Sequence, residues 1–214
     1  MTKAKIQTRN ADATKRRIFN AAYKEFAQNG FAGARVDQIA KKAKANKRMI
    51  YQYFGNKEAL FSRVLMVAYN DIREEEKKLE LDHLKPEKAL SKLVEFTWDY
   101  YLSHPEFMAL VNSANLHKAR HLSDFSIDMT QLHSGHVTLV KNILDRGVAS
   151  GVFRKGVDAV QLCITIAAVG YYYLTNRYSG SILFGMDFME EKALKTRGKF
   201  NKEVILRLVK TEKN

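Results

Sequence analysis

Proline and cysteine are nearly absent from this chain of 214 residues. It has two prolines, Pro86 and Pro105, and one cysteine, Cys163. So few helix breakers, among many alanines, leucines, lysines and glutamates, favour an all-helical (all-α) fold over a sheet protein. A lone cysteine excludes an intramolecular disulfide, and its place in an apolar run predicts a small buried side chain. A single buried cysteine without a disulfide fits a reducing compartment, so we expect a cytoplasmic protein.

Long uncharged segments are also missing. The longest one spans residues 159–176, but Gln161, Thr165 and Thr175 interrupt it. It is too short and too polar for a membrane span, so it predicts a buried helix instead. The first residues contain no apolar segment like that of an export signal. We therefore expect no membrane partner.

Acidic residues are scarce at the start of the chain. Residues 1–57 hold 14 lysines and arginines against 3 acidic residues, a balance of +11, whereas residues 58–214 hold 22 against 20, a balance of +2. A local positive field of this kind is typical of a segment that neutralises nucleic-acid phosphates. An anionic membrane surface is the alternative partner, but the basic segment lacks the apolar face that interfacial helices use.

Two short helices with a tight break between them are predicted in the basic segment, at residues 36–43 and 46–53. Apolar residues recur at helical spacing, which gives each helix one side to bury. These residues are Val36, Ile39, Ala40, Ala43, Ala45, Ile50 and Phe54. The pattern predicts a helix-turn-helix, and a plain helical hairpin with a solvated basic surface is the alternative.

The second helix of the pair carries side chains that can read DNA bases. Lys47, Arg48 and Gln52 lie on its outward side, next to Met49 and Tyr51. Arginine and lysine hydrogen-bond to guanine, and glutamine hydrogen-bonds to adenine. A helix with such an outer surface fits the major groove of duplex DNA, so we predict base contacts for the first three residues.

Three segments resemble the signature of the TetR family of transcriptional regulators. They are Phe31-Ala32-Gly33-Ala34, Val36-Asp37-Gln38-Ile39-Ala40, and Ile50-Tyr51-Gln52-Tyr53-Phe54-Gly55-Asn56-Lys57-Glu58-Ala59-Leu60-Phe61. The close resemblance covers about residues 14–65. Beyond it, only the spacing of helices and a few residues are similar.

The resemblance implies an N-terminal three-helix DNA-binding domain, residues 1–57, and a larger helical domain, residues 58–214. The larger domain is expected to hold an effector pocket and a homodimer interface made largely by the last two long helices. The implied function is sequence-specific regulation of transcription. We expect a repressor that a small-molecule effector releases from a near-palindromic operator in double-stranded DNA, with no cofactor.

The resemblance also implies which residues contact DNA. Tyr51, Tyr53 and Lys57 match positions that usually contact phosphate, and the three base-reading residues match the base-contacting positions of the family. The complete predicted set is Arg35, Asn46, Lys47, Arg48, Met49, Tyr51, Gln52, Tyr53 and Lys57.

Two residues depart from the family pattern. Lys44 stands where the turn usually has glycine, so either a left-handed residue there costs about 1 kcal/mol of strain or the turn is altered. Arg35 stands where serine or threonine normally caps the first helix of the pair, which removes a side-chain cap. Asn46 still suits the cap of the second helix.

Seven further helices are predicted from hydrophobic periodicity and from helix-stop signals. They cover about residues 12–29, 57–80, 87–102, 106–118, 125–150, 157–179 and 199–210, with a polar loop at 120–124. Residues 1–11 carry Lys3, Lys5 and Arg9 and little apolar content, which is typical of either a mobile basic arm or an inert tail.

Candidate effector-binding residues are aromatic and amide side chains in the middle of the larger domain. Amides such as Asn112 and Asn176 at otherwise apolar positions require a partner. Asn176-Arg177-Tyr178 weakly resembles a segment of the branch of the family that includes pyrimidine-responsive regulators. The predicted set is Trp98, Tyr101, Phe107, Asn112, Asn115, His136, Tyr172 and Asn176.

Enzymatic activity is not predicted. His133 and His136 are three residues apart on a predicted helix, but no third ligand follows at metal-binding spacing. The chain has no phosphate-binding glycine loop and no serine nucleophile elbow. A helical metal-dependent enzyme and an adaptor that binds only protein remain the alternatives, and the adaptor leaves the charge asymmetry unexplained.

Overall fold

A computed structural model describes residues 3–120, 122 and 126–211 of the chain. Throughout these residues, α-helices are joined by short turns, which confirms the all-α prediction. The helices are α1 (Lys3–Gly33), α2 (Val36–Ala43), α3 (Lys47–Phe54), α4 (Lys57–Lys77), α5 (Pro86–Ser103), α6 (Pro105–Leu116), α7 (Ser126–Ala149), α8 (Ala159–Thr175), α9 (Arg177–Phe184) and α10 (Glu191–Val209), with a 3-10 turn at Leu81–His83. None of the described helices is long and apolar enough to cross a membrane.

The chain divides into two compact units. Unit 1 consists of residues 1–70 and 106–129, and unit 2 consists of residues 71–105 and 130–214. Helix α4 contributes residues to both units. The predicted assignment of DNA binding to residues 1–57 concerns function rather than compactness, so it stays a prediction.

The first helix begins earlier than its predicted start at about residue 12. Helix α1 begins at Lys3, so the backbone of residues 3–11 is helical, while residues 1–2 lie outside the described part. Periodicity missed this extension because the segment has almost no apolar face. The predicted stop at Gly30 is confirmed, since its φ of 64° and ψ of 179° interrupt the helix. Most of the predicted loop at 120–124 also lies outside the described residues.

The last part of the chain holds one helix more than predicted. The predicted helix at 157–179 is two helices, α8 and α9, because the backbone of Asn176 leaves the helical path between them. Helix α10 begins at Glu191 rather than at Lys199. Its first two turns are rich in lysine, glutamate and threonine, so they carry no apolar stripe from which to predict a helix.

Aromatic rings form the centre of unit 1. Phe26 of α1 and Phe61 of α4 meet edge to face with ring centroids 4.9 Å apart, and Phe31 lies 5.2 Å from Phe61. The ring of His117 lies 5.2 Å from that of Phe31. The Oγ of Ser113 in α6 accepts a hydrogen bond of 2.7 Å from the Phe31 N–H, which satisfies a donor released by the break at Gly30.

Helices α5, α8 and α10 pack together in unit 2 around an apolar core. Cys163 of α8 lies in this core, as predicted, and burial together with the nearby Glu76 carboxylate raises the pKa of its thiol to about 11. Arg146 of α7 closes one end of the core. Its guanidinium donates to the carbonyl oxygens of Leu81, Asp82 and Leu84 at 2.7 to 3.1 Å, so it fastens the 3-10 turn.

Trp98 of α5 lies between two glycines in unit 2. Its side chain is 6% exposed, and the positions that a Cβ would take at Gly170 of α8 and Gly198 of α10 lie 3.4 Å and 3.1 Å from the indole. Tyr173 meets the indole edge to face at 5.8 Å. The two glycines therefore allow a large ring to fill the space where α5, α8 and α10 meet.

Candidate nucleic-acid interface

Helix α2 begins without a cap from its own side chains. Arg35 precedes it in an extended conformation and makes no side-chain cap, as predicted. Glu25 of α1, which is 3% exposed, instead binds the N–H of the N-cap residue itself, as the glutamate of a capping box does. Its Oε1 accepts from the Arg35 N–H at 3.3 Å, and its Oε2 accepts from Nζ of Lys42 at 2.7 Å. Helix α1 thus caps α2, which fixes the angle between them.

These contacts stabilise the ionised form of the Glu25 carboxyl. Burial raises the pKa of its carboxyl, but hydrogen bonds from Lys42 and from the Arg35 N–H outweigh burial, so the pKa is lower than that of an ordinary glutamate. The stabilisation is therefore present above the unfolded-state pKa and is lost as the pH falls through the lowered folded-state pKa.

Replacing Glu25 with glutamine is expected to lower the free energy of unfolding by about 1 to 2 kcal/mol at neutral pH, because a charge-assisted cap becomes a neutral one. The difference from the wild type should shrink in acid, where the wild-type carboxyl is protonated. Urea unfolding at several pH values measures both. Glu203→Gln, at an exposed position, should change little. A difference for Glu25→Gln that stays constant down to strongly acidic pH would contradict this account.

The turn between α2 and α3 depends on a strained lysine. Lys44 has a φ of 50° and a ψ of 47°, so of the two alternatives the strained left-handed residue is the one observed. Its N–H donates to the carbonyl oxygen of Lys41 at 3.2 Å, and the N–H of Ala45 donates to that of Ala40 at 3.0 Å. The turn therefore satisfies the last carbonyl groups of α2 although it lacks the usual glycine.

Lys44→Gly is expected to stabilise unit 1 by about 0.5 to 1 kcal/mol, because glycine adopts the left-handed region without strain. Lys44 is exposed, so the side chain loses no packing. Lys44→Ala is the matched control, because it removes the same charge but keeps the Cβ. Thermal unfolding should show a gain for the glycine variant alone, and equal gains for both would mean that charge rather than strain is responsible.

Helix α3 presents a polar surface to solvent. Asn46 caps it, with Oδ1 accepting from the Arg48 N–H at 2.9 Å. Ile50 and Phe54 are buried, which turns the opposite side of the helix outward. The exposed residues of the predicted set are Arg35, Asn46, Lys47, Arg48, Tyr51 and Gln52, and the half-buried ones are Met49, Tyr53 and Lys57.

An ion pair lies across the start of this surface. Nζ of Lys47 is 2.9 Å from Oδ1 of Asp37 in α2, and both side chains are exposed. The hydrogen bond from Lys47 lowers the pKa of the Asp37 carboxyl. In the free protein, Asp37 therefore fixes the position of the amine, and a phosphate or base would have to compete with a carboxylate for it.

Lys57 is the first residue of α4 and belongs to unit 1. Nζ of Lys57 lies 4.8 Å above the centre of the Phe31 ring and 3.5 Å from the carbonyl oxygen of Ala32. Asn56 caps the helix, since its Oδ1 accepts from the Ala59 N–H at 2.7 Å. A held amine beside free N–H groups at a helix start is a suitable environment for a phosphate.

Two family models match the chain. The model described as "Bacterial regulatory proteins, tetR family" matches residues 18–64, and the model described as "Tetracyclin repressor-like, C-terminal domain" matches residues 86–205, more than half of the chain. The chain belongs to the TetR family. The predicted family and the predicted function, DNA-binding regulation of transcription, are confirmed.

Relatives and solved structures agree with this membership. The HTH-type transcriptional repressor NicS of Pseudomonas putida is 39% identical over 191 residues, which cover 89% of this TetR-family chain and 90% of that protein. The HTH-type transcriptional repressor SCO4008 of Streptomyces coelicolor is 42% identical over 108 residues, 50% of this chain and 52% of that protein. FadR of Bacillus subtilis, solved in complex with stearoyl-CoA, shares the fold with a TM-score of 0.65 at 17% identity, covering 90% of this chain and 97% of that one.

The two alternatives to a TetR-family regulator are not favoured. The family and the named relatives are transcriptional regulators, which argues against a metal-dependent enzyme and against a protein-only adaptor. The metal hypothesis was based on His133 and His136. Their ring centroids lie 5.6 Å apart, and Nδ1 of His136 faces Glu76.

Three of the predicted effector residues of this TetR-family chain lie on α6, in unit 1. Phe107 is buried and meets the ring of Tyr69 edge to face at 5.4 Å. Asn115 is exposed, and its Nδ2 donates to the carbonyl oxygen of Val111 at 2.9 Å within its own helix. Asn112 is half-buried. These contacts explain Phe107 and Asn115 without an effector, and an effector role for the three stays a prediction.

The other five predicted effector-binding residues lie in unit 2. Trp98 and Tyr101 are buried against Gly170 of α8. Tyr172 is 61% exposed on the outside of α8, and an effector role for it stays a prediction. Asn176 ends α8, with Nδ2 donating to the Tyr172 carbonyl oxygen at 2.9 Å. His136 lines a cleft beside Glu76.

Sequence reasoning missed three acceptors around the candidate DNA-binding surface. Glu25 caps α2, Asp37 pairs with Lys47, and Asn56 caps α4. Asn56 had a readable signal, because asparagine directly before a helix start is a preferred cap. Glu25 had none, since it acts across the space between two helices rather than at a fixed sequence spacing.

Proposed function

We propose that this chain represses transcription by binding a near-palindromic DNA operator as a homodimer, and that a small-molecule effector releases it. In this proposal residues 1–57 bind DNA, and residues 58–214 bind the effector and the second subunit. The observation that carries it is the exposed basic and polar side of α3 within a segment whose charge balance is +11. The names of NicS and SCO4008 as repressors support the direction of regulation.

We assign base contacts to Lys47, Arg48 and Gln52 and phosphate contacts to Tyr51, Tyr53 and Lys57. The assignment is supported by exposure of the first three side chains and by the position of Lys57 at the start of α4. Arg35, Asn46 and Met49 border the same surface and complete the proposed interface. A helix N-terminus and a lysine together neutralise phosphate charge without distinguishing bases, whereas the outer residues of α3 can distinguish them.

Binding to duplex DNA is expected to weaken steeply with salt, and single substitutions should separate the two kinds of contact. Gln52→Ala should reduce the preference for the operator by about 1 to 3 kcal/mol, because a base contact is lost. Lys57→Ala should weaken binding to all sequences alike and reduce the salt slope. Fluorescence anisotropy with operator and scrambled duplexes at several salt concentrations measures both. A flat dependence on salt, or a loss of base preference in Lys57→Ala alone, would reverse the assignment.

The homodimer is proposed to form through α8 and α10. Val160, Ile164, Ala168 and Tyr172 recur every fourth residue on the exposed side of α8. On α10, exposed Phe200 and Leu208 and half-buried Val204 also recur every fourth residue. Apolar stripes on two helices that pack together favour a second copy of the same surface. A two-fold dimer in turn requires operator half-sites about one helical turn apart.

Effector binding is proposed for the part of the chain that follows the helix-turn-helix. FadR, solved with stearoyl-CoA, demonstrates that a protein of this fold can hold a small molecule. Coupling between effector and operator is reciprocal, so each must weaken the binding of the other by the same factor, typically about 1 to 3 kcal/mol. Effector titrations with and without saturating operator DNA test this, and equal affinities would rule out release by that effector.

A further inference from the structure

Glu76 is an acidic side chain buried in unit 2, in the last turns of α4. It is 5% exposed, and burying a carboxylate is costly unless other groups pair with it. Nη1 of Arg73, one turn earlier, donates to its Oε2 at 2.8 Å. Nδ1 of His136 on α7 lies 2.8 Å from the same oxygen, without the alignment of a full hydrogen bond. Both contacts fall on Oε2, which leaves Oε1 available to another donor.

A cleft of about 540 Å³ opens beside these three residues, between α4, the 3-10 turn and α7. This volume is within the range of small-molecule sites. Thr138 and Asn142 of α7 contribute neutral polar side chains to its wall, and Leu139 contributes an apolar one. The cleft therefore combines buried and rim charges with a few neutral side chains that can orient a ligand.

The charges around the cleft favour a positively charged ligand. Arg73 is neutralised by Glu76, and Lys77 is paired with Glu74, which its Nζ approaches to 2.7 Å. Glu80 and Asp82 then leave the rim of the cleft negative. An anion entering it would meet the Glu80 and Asp82 carboxylates, whereas a cation would gain from them and could donate to the remaining oxygen of Glu76.

We infer that this cleft is the effector site and that it selects a small organic molecule carrying a protonated nitrogen, which donates a hydrogen bond to Oε1 of Glu76. The inference rests on the proposed function, in which an effector binds this part of the chain. It adds the place and the chemical class. His136 then faces the ligand from α7, and Arg73 holds the carboxylate in position from α4.

Three probes of nearly equal size and shape test the class: benzamidine, benzamide and benzoate carry a positive, a neutral and a negative group on the same ring. Calorimetric titration of the full chain without DNA should show that benzamidine binds about tenfold or more tightly than benzamide, since a charge-assisted hydrogen bond is the stronger one. Benzoate should not bind measurably. Tighter binding of benzoate than of benzamidine would overturn the inference.

Substitutions test whether benzamidine binds in the cleft. Glu76→Gln removes the charge with little change of shape and should weaken benzamidine about tenfold or more. Thr138→Phe fills the cleft from an exposed position and leaves the buried cluster intact, so it should abolish binding even if Glu76→Gln folds poorly. Ser134→Phe, exposed on the same helix and outside the cleft, should bind like the wild type.

Failure of the cleft as a binding site can be distinguished from failure of the proposed function. Benzamidine binding that survives Thr138→Phe, or that Ser134→Phe abolishes equally, refutes the site while DNA binding and dimerisation stand. Conversely, a chain that shows no salt-dependent DNA binding refutes the proposed function, whatever the probes do. A benzamidine complex that leaves operator affinity unchanged would refute the regulatory role of the cleft.

Discussion

Replacing Gly147 with alanine is expected to lower the free energy of unfolding by about 3 kcal/mol, because the added methyl group overlaps a buried ring. A Cβ at Gly147 would lie 2.6 Å from Cε2 of Phe153 and closer still to Cδ2. Phe153 is itself buried, and its N–H donates to the carbonyl oxygen of Gly147 at 3.1 Å, so neither side can move freely. Urea unfolding monitored by circular dichroism measures the loss.

Gly135 provides a matched control on the same helix. It is exposed, and a Cβ there would meet no atom within 4 Å. Without a ligand present, Gly135→Ala should therefore stabilise α7 by about 0.5 to 1 kcal/mol, as alanine does in an open helix position. If Gly147→Ala were as stable as Gly135→Ala, the close packing of Phe153 against α7 would be incorrect.

Ala168→Glu is expected to raise the dissociation constant of the proposed homodimer about 100-fold or more. Ala168 lies in the middle of the apolar stripe of α8 and is exposed in the single chain, so the substitution should leave the fold intact. In a two-fold dimer each copy would bury an unpaired carboxylate, which costs several kcal/mol. Sedimentation velocity over a range of concentrations measures the shift.

Ala149→Glu makes the same chemical change at an exposed position near the end of α7 that belongs to neither stripe. It should dimerise like the wild type. A wild-type chain that is monomeric at micromolar concentration would remove the proposal, as would an Ala168→Glu variant that stays dimeric with an unchanged circular dichroism spectrum.

The helix-turn-helix could be predicted from sequence almost to the residue. Helix α2 has the predicted bounds, α3 is shifted by one residue, and Lys44 has the left-handed backbone that was one of the two alternatives for the turn. Short helices with one apolar side and a tight turn leave few alternatives, because periodicity, caps and turn geometry all act within a few residues. Such local features are therefore the ones that a single sequence predicts best.

Features that depend on distant residues could not be predicted. The Glu25 cap joins positions ten apart on different helices, and the Glu76 cleft requires α4 and α7 to approach each other. Helix α9 was missed because its first residues were assigned to the predicted helix at 157–179, and its apolar residues Ile182, Leu183 and Phe184 beyond that point are exposed. A pattern of hydrophobicity does not distinguish a residue that faces the core from one that faces a second chain or solvent.

The position of Trp98 gives the protein a built-in optical probe. It is the only tryptophan of the chain, and it lies in the interior of unit 2. Indole fluorescence therefore reports the unfolding of unit 2 alone, whereas far-ultraviolet circular dichroism reports the helices of both units. Coincident transitions would indicate that the two units melt as one cooperative system, and separate ones would give each unit its own stability.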